Sequence, residues 1–323
     1  MILFLFAGTA RAQEDYETTR GDLRLMWYNT ENLFHPTDDS AAGDDEFIPG
    51  GVRGWSYKRY RQKLTAVARV IVAAGGWEPP DVVGLCEVEC ALVLEELVAH
   101  PILLPYGYSY LHREGPDHRG MDVACLFRGE RLNPVSHQYI TPPKGEGFDQ
   151  TREMLHLKGA WGRRDTLELF LVHFISRYRG SGITANYRRR QSARLAVLMD
   201  SVESSAPGNL VVAVGDFNEV WGSYSLEPLD SVRASVGPDH GASYKYRGAW
   251  SGIDLFLVTG KSEAYGISRA VLKLPSILVP DLTFGGVKPY RTYEGFRYSG
   301  GYSDHLPVLL DISRSRGPGS AGR

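Results

Sequence analysis

The sequence predicts an α/β protein, and three observations carry that prediction. Short Val-rich apolar runs, Val82-Val83-Gly84-Leu85-Cys86 and Leu210-Val211-Val212-Ala213-Val214, have the length and composition of strands buried on both faces. Between such runs lie stretches with apolar residues at helical spacing, among them Leu64, Val67, Ala68, Ile71 and Val72. The strand-like runs stop abruptly at polar residues, Glu87 after the first and Gly215-Asp216-Phe217-Asn218 after the second. Strand ends are where open α/β sheets gather their sites.

Composition bounds the rest. Hydrophobic residues make up 43% of the 323 and charged residues 23%, enough to bury a full core. Lys+Arg 36 against Asp+Glu 38 leaves a formal charge of −2. That excludes the global basic signature of a dedicated nucleic-acid binder. A local patch remains at Arg179 and Arg188-Arg189-Arg190. Three cysteines are too few, and odd in number, for a disulfide scaffold. Cys86 and Cys90 flank Glu87 and Glu89 with no second cysteine pair, which argues against zinc.

Residues 1–12 read as a signal peptide, an apolar run ending in Ala10-x-Ala12 with cleavage before Gln13. The basic start of such a peptide is missing. The expected location is secreted or periplasmic/envelope. The run is too short to span a bilayer. Residues 21–313 form the one expected domain, without linker or repeat, and 314–323 a Gly/Ser/Arg-rich disordered tail. Nothing indicates an obligate protein partner.

In chain order, residues 23–28 read as a first strand that ends at Asn29-Thr30-Glu31-Asn32. The acidic loop with Asp38, Asp39, Asp44, Asp45 and Glu46 lacks EF-hand order and reads as solvated. Ser56 is placed to cap a helix, which Gly75-Gly76 ends. A strand over 82–86 and a helix over 91–99 follow. The middle is strand-rich, with runs over 106–112, 121–127, 137–140, 154–158 and 166–174, the last carrying His173. A helix with a basic first half covers 183–203, before the run that starts at Leu210. Further strands are expected over 253–258, 271–274 and 306–312, and 275–301 reads mostly as loop.

Polar residues recur beside these strands: Asn29, Glu87, His173, Asp216 with Asn218, Asp254, and Asp304 with His305. Burying each alone would cost roughly 2 kcal/mol or more, whereas a shared metal-and-phosphate site makes them mutual partners. Glu87 and Asn29 offer oxygens to a hard cation. A carboxylate–histidine pair can aim and deprotonate water. Amide and cationic donors can meet the charge that spreads over phosphoryl oxygens. That combination is the chemistry of phosphoester hydrolysis.

The same residues lie in a series that resembles the endonuclease/exonuclease/phosphatase family. The series runs Trp27-Tyr28-Asn29-Thr30-Glu31-Asn32-Leu33-Phe34, Gly84-Leu85-Cys86-Glu87-Val88-Glu89, Met121-Asp122-Val123-Ala124, Val172-His173-Phe174-Ile175-Ser176-Arg177, Gly215-Asp216-Phe217-Asn218, Ile253-Asp254 and Ser303-Asp304-His305-Leu306-Pro307-Val308. It spans nearly the whole chain, in family order, and is most similar to a bacterial subgroup often found exported. The resemblance implies a two-sheet (four-layer) α/β sandwich, deoxyribonuclease I-like, and a Mg²⁺ (or Mn²⁺) cofactor. It implies Glu87 as main metal ligand with Asn29 and Asp304 nearby. Asp216 would orient or deprotonate water and Asn218 contact phosphate. His305 would pair with Asp254, and His173 would serve the leaving-group or phosphate side, with Asp122 as its loosest implied partner. Ser176 and Arg177 follow in the substrate-binding stretch. Three departures stand out: Cys86 for the family's Gln, Val172 for its Asn and Ile175 for its Pro. They bear on substrate more than on reaction class.

Each residue also has a plainer reading. His173 reads as a core histidine, Asp216 as the start of an Asx-turn, Asp304-His305 as a turn, Asp254 as a solvent-facing strand residue and Glu87 as an edge carboxylate. Arg152 reads equally as a substrate-phosphate contact or a salt-bridged residue. Arg188-Arg189-Arg190 reads as a solvated helix face. Trp250, Tyr290, Tyr293, Phe296 and Tyr298 read as loop packing, with stacking on a base or sugar as the alternative. The expectation is a nuclease-like, metal-dependent phosphodiesterase acting on a phosphate ester such as DNA or RNA. The alternatives are a phospholipid or sugar-phosphate substrate, or a catalytically silent binding module.

Overall fold

Two six-stranded sheets take up most of the apolar runs in this computed structural model, which describes residues 21–37, 43, 45–143, 151–177, 181–232, 235–236 and 241–314. The first half contains β1 (Leu23–Leu33), α1 (Tyr57–Ala73), β2 (Val82–Val88), α2 (Ala91–Val98), β3 (Tyr108–Leu111), β4 (Asp122–Arg128), β5 (Leu132–Ile140), β6 (Met154–Trp161) and β7 (Asp165–His173). Then come α3 (Ser181–Ser205), β8 (Leu210–Asp216), β9 (Ser235–Val236), β10 (Tyr244–Tyr246), β11 (Ala249–Ser251) and β12 (Asp254–Gly260). The remainder holds β13 (Tyr265–Val271), β14 (Leu278–Pro280), β15 (Val287–Pro289), β16 (Tyr293–Glu294), β17 (Arg297–Tyr298) and β18 (Val308–Arg314). One sheet runs β13-β18-β1-β2-β4-β3 and the other β5-β6-β7-β8-β12-β9. Each has one parallel pair at its centre, β1 with β2 and β7 with β8.

Helices cover the outer faces. Leu195, Ala196 and Met199 of α3 share a core with Phe170, Val172, Val211 and Ala213. The alternate residues Leu169, Leu171, Val212 and Val214 belong to the larger core that includes Trp27, Leu85 and the apolar side of α1. The result is a four-layer sandwich of helix, sheet, sheet and helix. Ser56 caps α1 by accepting the Arg59 amide at 3.4 Å, and Gly76 follows with a left-handed φ of 68°.

Side-chain parity carries from this core to the strand ends. In β7, Leu169 and Leu171 face the other sheet, so His173 does too. Val212 and Val214 do the same in β8, and Asp216 continues the row. The register pairs His173 with Asp216 and Asp216 with Asp254. Three polar residues thus stand side by side on the inner face, at the edge of the core.

Two glycines allow close packing, one between the sheets and one between strands of a sheet. A Cβ on Gly84 would lie 2.7 Å from the Trp27 ring and 2.9 Å from Leu171 of the facing sheet. A Cβ on Gly215 would lie 2.0 Å from the Val172 carbonyl oxygen in the neighbouring parallel strand. Gly215 is a strand residue, one position before the end of β8. Its role is close packing.

Several sequence expectations shift. β1 continues through Asn29 to Leu33 instead of ending at 28. The strand expected over 271–274 lies upstream, at Tyr265–Val271. The loop-rich stretch after β8 contains the β10–β11 hairpin, and 275–301 contains two more short pairs. β18 runs through Arg314, one residue into the expected tail. Arg188 is buried, not solvated, and donates to Thr184 Oγ1 at 2.9 Å and Glu219 Oε2 at 3.2 Å. The expected signal peptide, Asp38, Asp39, Asp44, Arg179 and residues 315–323 lie outside the described residues.

Replacing Gly215 with Ala is expected to cost about 2–3 kcal/mol, an overpacking penalty against rigid backbone. Urea unfolding measures it. Wild-type stability in that variant would show that β7 and β8 separate easily.

Candidate functional site

The row of His173, Asp216 and Asp254 meets a loop that returns just before β18. His305, on that loop, places Nδ1 2.7 Å from Asp254 Oδ2 and Nε2 3.7 Å from Asp216 Oδ2. Asp254 accepts two further bonds: Trp27 Nε1 donates to Oδ1 at 3.0 Å, and Ser243 Oγ donates to Oδ2 at 2.5 Å. The Tyr244 ring lies 4.8 Å from the His305 ring. Asp216 accepts from the Asn218 amide at 2.8 Å and from Asn29 Nδ2 at 3.1 Å. The first of these is an Asx-turn, so the plainer reading of Asp216 and its place in a polar cluster are both present.

The Asn29 amide group ties the two sheets together, since its Nδ2 also donates to Glu87 Oε1 at 3.1 Å. Strict alternation would turn Glu87 away from Asn29, because Cys86 is the register partner of Asn29. The ladder instead slips between Cys86 and Val88, and Glu87 takes a φ of 60°. Such a bulge re-aims a side chain. β1 slips as well after Asn29, with Glu31 and Asn32 at φ 51° and 58°. Glu87 Oε2 then accepts the Asn32 amide at 2.9 Å. Ser303 Oγ donates to the Asn29 carbonyl at 2.7 Å, which fixes the loop that carries Asp304 and His305.

A second group of charges lies beside this cluster, with Glu31, Arg291 and Asp304 lining the same cleft. Glu31 accepts the Thr292 amide at 2.6 Å and the Tyr293 amide at 3.3 Å. Arg291 Nη2 donates to Asp304 Oδ2 at 2.8 Å. Lys63 of α1 is 1% exposed and donates to Thr292 Oγ1 and the Tyr302 carbonyl.

Burial raises the proton affinity of these acids. It pushes Glu31 up to about 7, with Asp304 adding repulsion. Glu87 is raised by burial and by Asp304. Asp216 is pushed up to about 7 by burial, with the cationic His305 opposing. Burial also lowers Lys63 to about 8. The two histidines diverge. Burial disfavours a charged His305, but Asp254 and Asp216 outweigh it and hold the ring protonated well above the ordinary range. His173 is driven well below that range by burial, Arg152 and His305, and is neutral.

Buried carboxylates that raise one another's proton affinity are short of positive charge. Glu87 and Asp304 bring carboxylates to one cleft, hard donors that suit Mg²⁺ or Mn²⁺, while Asn29 Oδ1 accepts the Glu31 amide at 2.9 Å. Asp216, Asp254 and His305 also offer three donor atoms within 4.8 Å of one another. That trio is a poorer cage, because Asp254 and the His305 Nδ1 already satisfy each other. The oxygen set around Glu87 fits a hard cation better.

The structure brings Glu87, Arg152, His173, Ser176, Arg177, Asp216, Asn218, Asp304 and His305 to the lining of one cleft, of about 820 Å³, and Asn29 is buried beneath it, bonded to Glu87 and Asp216. Asp254 stands directly behind His305. Arg177 donates to the Asn218 carbonyl at 2.9 Å and to Glu219 Oε1 at 2.8 Å. Asn218 Nδ2 donates to the Phe174 carbonyl at 3.0 Å. Asp122 is not the partner of His173: its carboxylate accepts the Gly115 amide at 3.1 Å and faces His112 at 3.5 Å. Ser243, Tyr244, Lys63 and Arg291 are functional neighbours that no sequence motif marks, and Trp27 and Glu31 lie within a motif that assigns them no role.

A profile of the Endonuclease/Exonuclease/phosphatase family matches residues 24–314. No curated protein matches the chain. Solved structures share the fold at low identity. Danio rerio TDP2 complexed with single-strand DNA product is 14% identical with a TM-score of 0.56, covering 90% of this chain and 98% of that one. A mannosyl-6-phosphatase of Bacteroides thetaiotaomicron is 16% identical with a TM-score of 0.54, covering 90% and 99%. The human Nocturnin catalytic domain with bound sulfate is 16% identical with a TM-score of 0.53, covering 91% and 94%.

In EDTA, histidine-ring NMR is expected to show His305 protonated well above an ordinary value of about 6.5, and His173 neutral well below it. Asp254→Asn should bring His305 down, and an unshifted His305 would assign its proton to another partner. Because the folded value is the higher one, the charged ring's contribution to stability is complete below the unfolded value and is lost as pH rises through the folded value.

Proposed function

The chain belongs to the endonuclease/exonuclease/phosphatase family, and from that premise we propose a divalent-metal-dependent phosphoesterase that hydrolyses phosphodiesters in the manner of a nuclease. One observation carries the reading. Asp216 is joined at once to the oxygen cage through Asn29 and to the His305–Asp254 couple, at the floor of an open cleft. A water there would face a base on one side and phosphoryl-binding donors on the other.

The roles follow from chemistry. Asp216, with a proton affinity raised toward neutral pH, takes the proton from the attacking water. The water oxygen bonds to phosphorus as the bond to the leaving oxygen breaks. His305, kept cationic by Asp254, donates to a non-bridging oxygen as charge develops. Asn218 offers its remaining amide hydrogen to the same group. His173, neutral and buried, donates a ring N–H toward the leaving-group side, where Arg152 contributes positive charge. Glu87, Asn29 and Asp304 would hold Mg²⁺ or Mn²⁺, which supplies Lewis-acid polarisation of a phosphoryl oxygen when bound.

A diester is favoured over a small monoester by the cleft itself, whose walls carry Tyr244, Tyr246 and Tyr293 beyond the catalytic floor. The single-strand DNA product of one protein of this fold supports the same choice. The apolar start before Ala10 and Ala12 supports an exported enzyme.

The decisive assay offers purified protein plasmid DNA, RNA, bis-p-nitrophenyl phosphate, p-nitrophenyl phosphate and sphingomyelin, with Mg²⁺, Mn²⁺ or EDTA. Diester cleavage with either metal and none in EDTA is expected. Asp216→Ala should lower kcat by about 10²–10⁴. EDTA-resistant turnover would remove the metal, monoester-only turnover would replace the substrate class, and no turnover would favour a binding module.

A further inference from the structure

On the His173 side of the cleft, two guanidinium groups share one carboxylate. Arg152, just before β6, has a side chain only 2% exposed, and its Nε lies 3.2 Å from Asp117 Oδ2. Arg119 reaches the other oxygen of the same acid, with Nε 3.8 Å from Asp117 Oδ1. Asp117 is itself buried, its side chain 4% exposed. It closes a tight turn, accepting the Arg119 amide on Oδ1 at 3.0 Å and the Gly120 amide on its carbonyl at 2.9 Å. Both arginines line the cleft with His173 and Met121.

Two permanent cations share one directly paired anion, Asp117, with Asp122 a further acid within electrostatic reach. Hydrogen bonding is incomplete. Among the described residues, His173 Nδ1 is buried with no hydrogen-bond partner, and Arg152 Nε meets Asp117 as an ion pair without hydrogen-bond geometry. The one hydrogen bond found for the Arg152 guanidinium runs from Nη2 to Met121 Sδ at 3.5 Å, and a thioether is a weak acceptor. Buried polar groups left in this way point to an acceptor that arrives from outside. A phosphate oxygen suits paired guanidinium groups.

We propose that Arg119 and Arg152, held by Asp117, form an anion subsite that binds a second phosphate of the substrate, beyond the one that is cleaved. The inference rests on the phosphodiesterase reading and narrows it to esters that carry two phosphates. The second phosphate comes either from the next link of a nucleic-acid strand or from the terminus of a small ester. Arg119 is then a specificity residue and Asp117 a positioning residue.

The test compares wild type, Arg119→Gln and Arg119→Lys on four probes: bis-p-nitrophenyl phosphate, thymidine 3′-(p-nitrophenyl phosphate), the same ester with a 5′-phosphate, and a thymidine trinucleotide. Arg119 is partly exposed, so neither variant threatens folding. The readout is the ratio of kcat/KM for a two-phosphate probe over the one-phosphate thymidine ester. Wild type should favour at least one two-phosphate probe about tenfold. Arg119→Gln should collapse that ratio mainly through KM, and Arg119→Lys should restore part of it. Preference for the 5′-phosphate ester identifies a terminal phosphate, and preference for the trinucleotide alone identifies a strand. Equal kcat/KM on all thymidine probes, or a ratio unmoved by Arg119→Gln, overturns the subsite. Failure to cleave even bis-p-nitrophenyl phosphate overturns the underlying reading instead.

Discussion

The carboxylate of Asp254 is the point on which the cleft depends. It accepts from Trp27 in one sheet, from Ser243 beside the β10–β11 hairpin, and from His305 on the loop that enters β18. Three segments distant in sequence are therefore fixed relative to one anion. A hydrogen bond to a charged acceptor contributes about 1.5–3 kcal/mol, and the bond from Trp27 spans the gap between the sheets. It holds the sandwich at the spacing that lets His305 reach both aspartates. Gly84 makes the bond possible, because any side chain there would displace the indole.

The second constraint is register. His173, Asp216 and Asp254 share a face because three strands of one sheet are paired residue for residue, so a slip by one would turn each polar group away. The opposite sheet reaches its partner geometry by breaking the same rule. β1 and β2 both slip just past Asn29, and the bulge brings Glu87 to the Asn29 amide. One wall of the site is thus regular and the other irregular, and the Asn29 side chain spans the two.

These two walls were unequally legible in the sequence. The regular wall could be read, because short Val-rich runs announce buried strands and His173, Asp216 and Asp254 lie at their ends. For Glu87 the motif pointed to the site, but a period of two points the side chain the other way, and no local signal marks the slip. Lys63 and Arg188 look like ordinary polar positions in helical patterns, and only tertiary contacts show that both are buried. Ser243, Tyr244 and Arg291 come from Gly- and Tyr-rich stretches of loop and very short strand, where no periodicity can be read. The resemblance pairs Asp122 with His173, and its motif does border the cleft through Met121, but the Asp122 carboxylate is committed to the turn at Gly115.

Five described residues other than glycine have a left-handed backbone, and four of them, Glu31, Asn32, Glu87 and Asn218, belong to the cleft. Each such conformation costs on the order of 1 kcal/mol or more. Glycine would relieve that strain, and at Glu87 it would also remove the carboxylate. Heat tolerance and turnover therefore pull these positions in opposite directions. A population screened for thermal survival alone would drift toward glycine there, and it would become sturdier as it lost its chemistry.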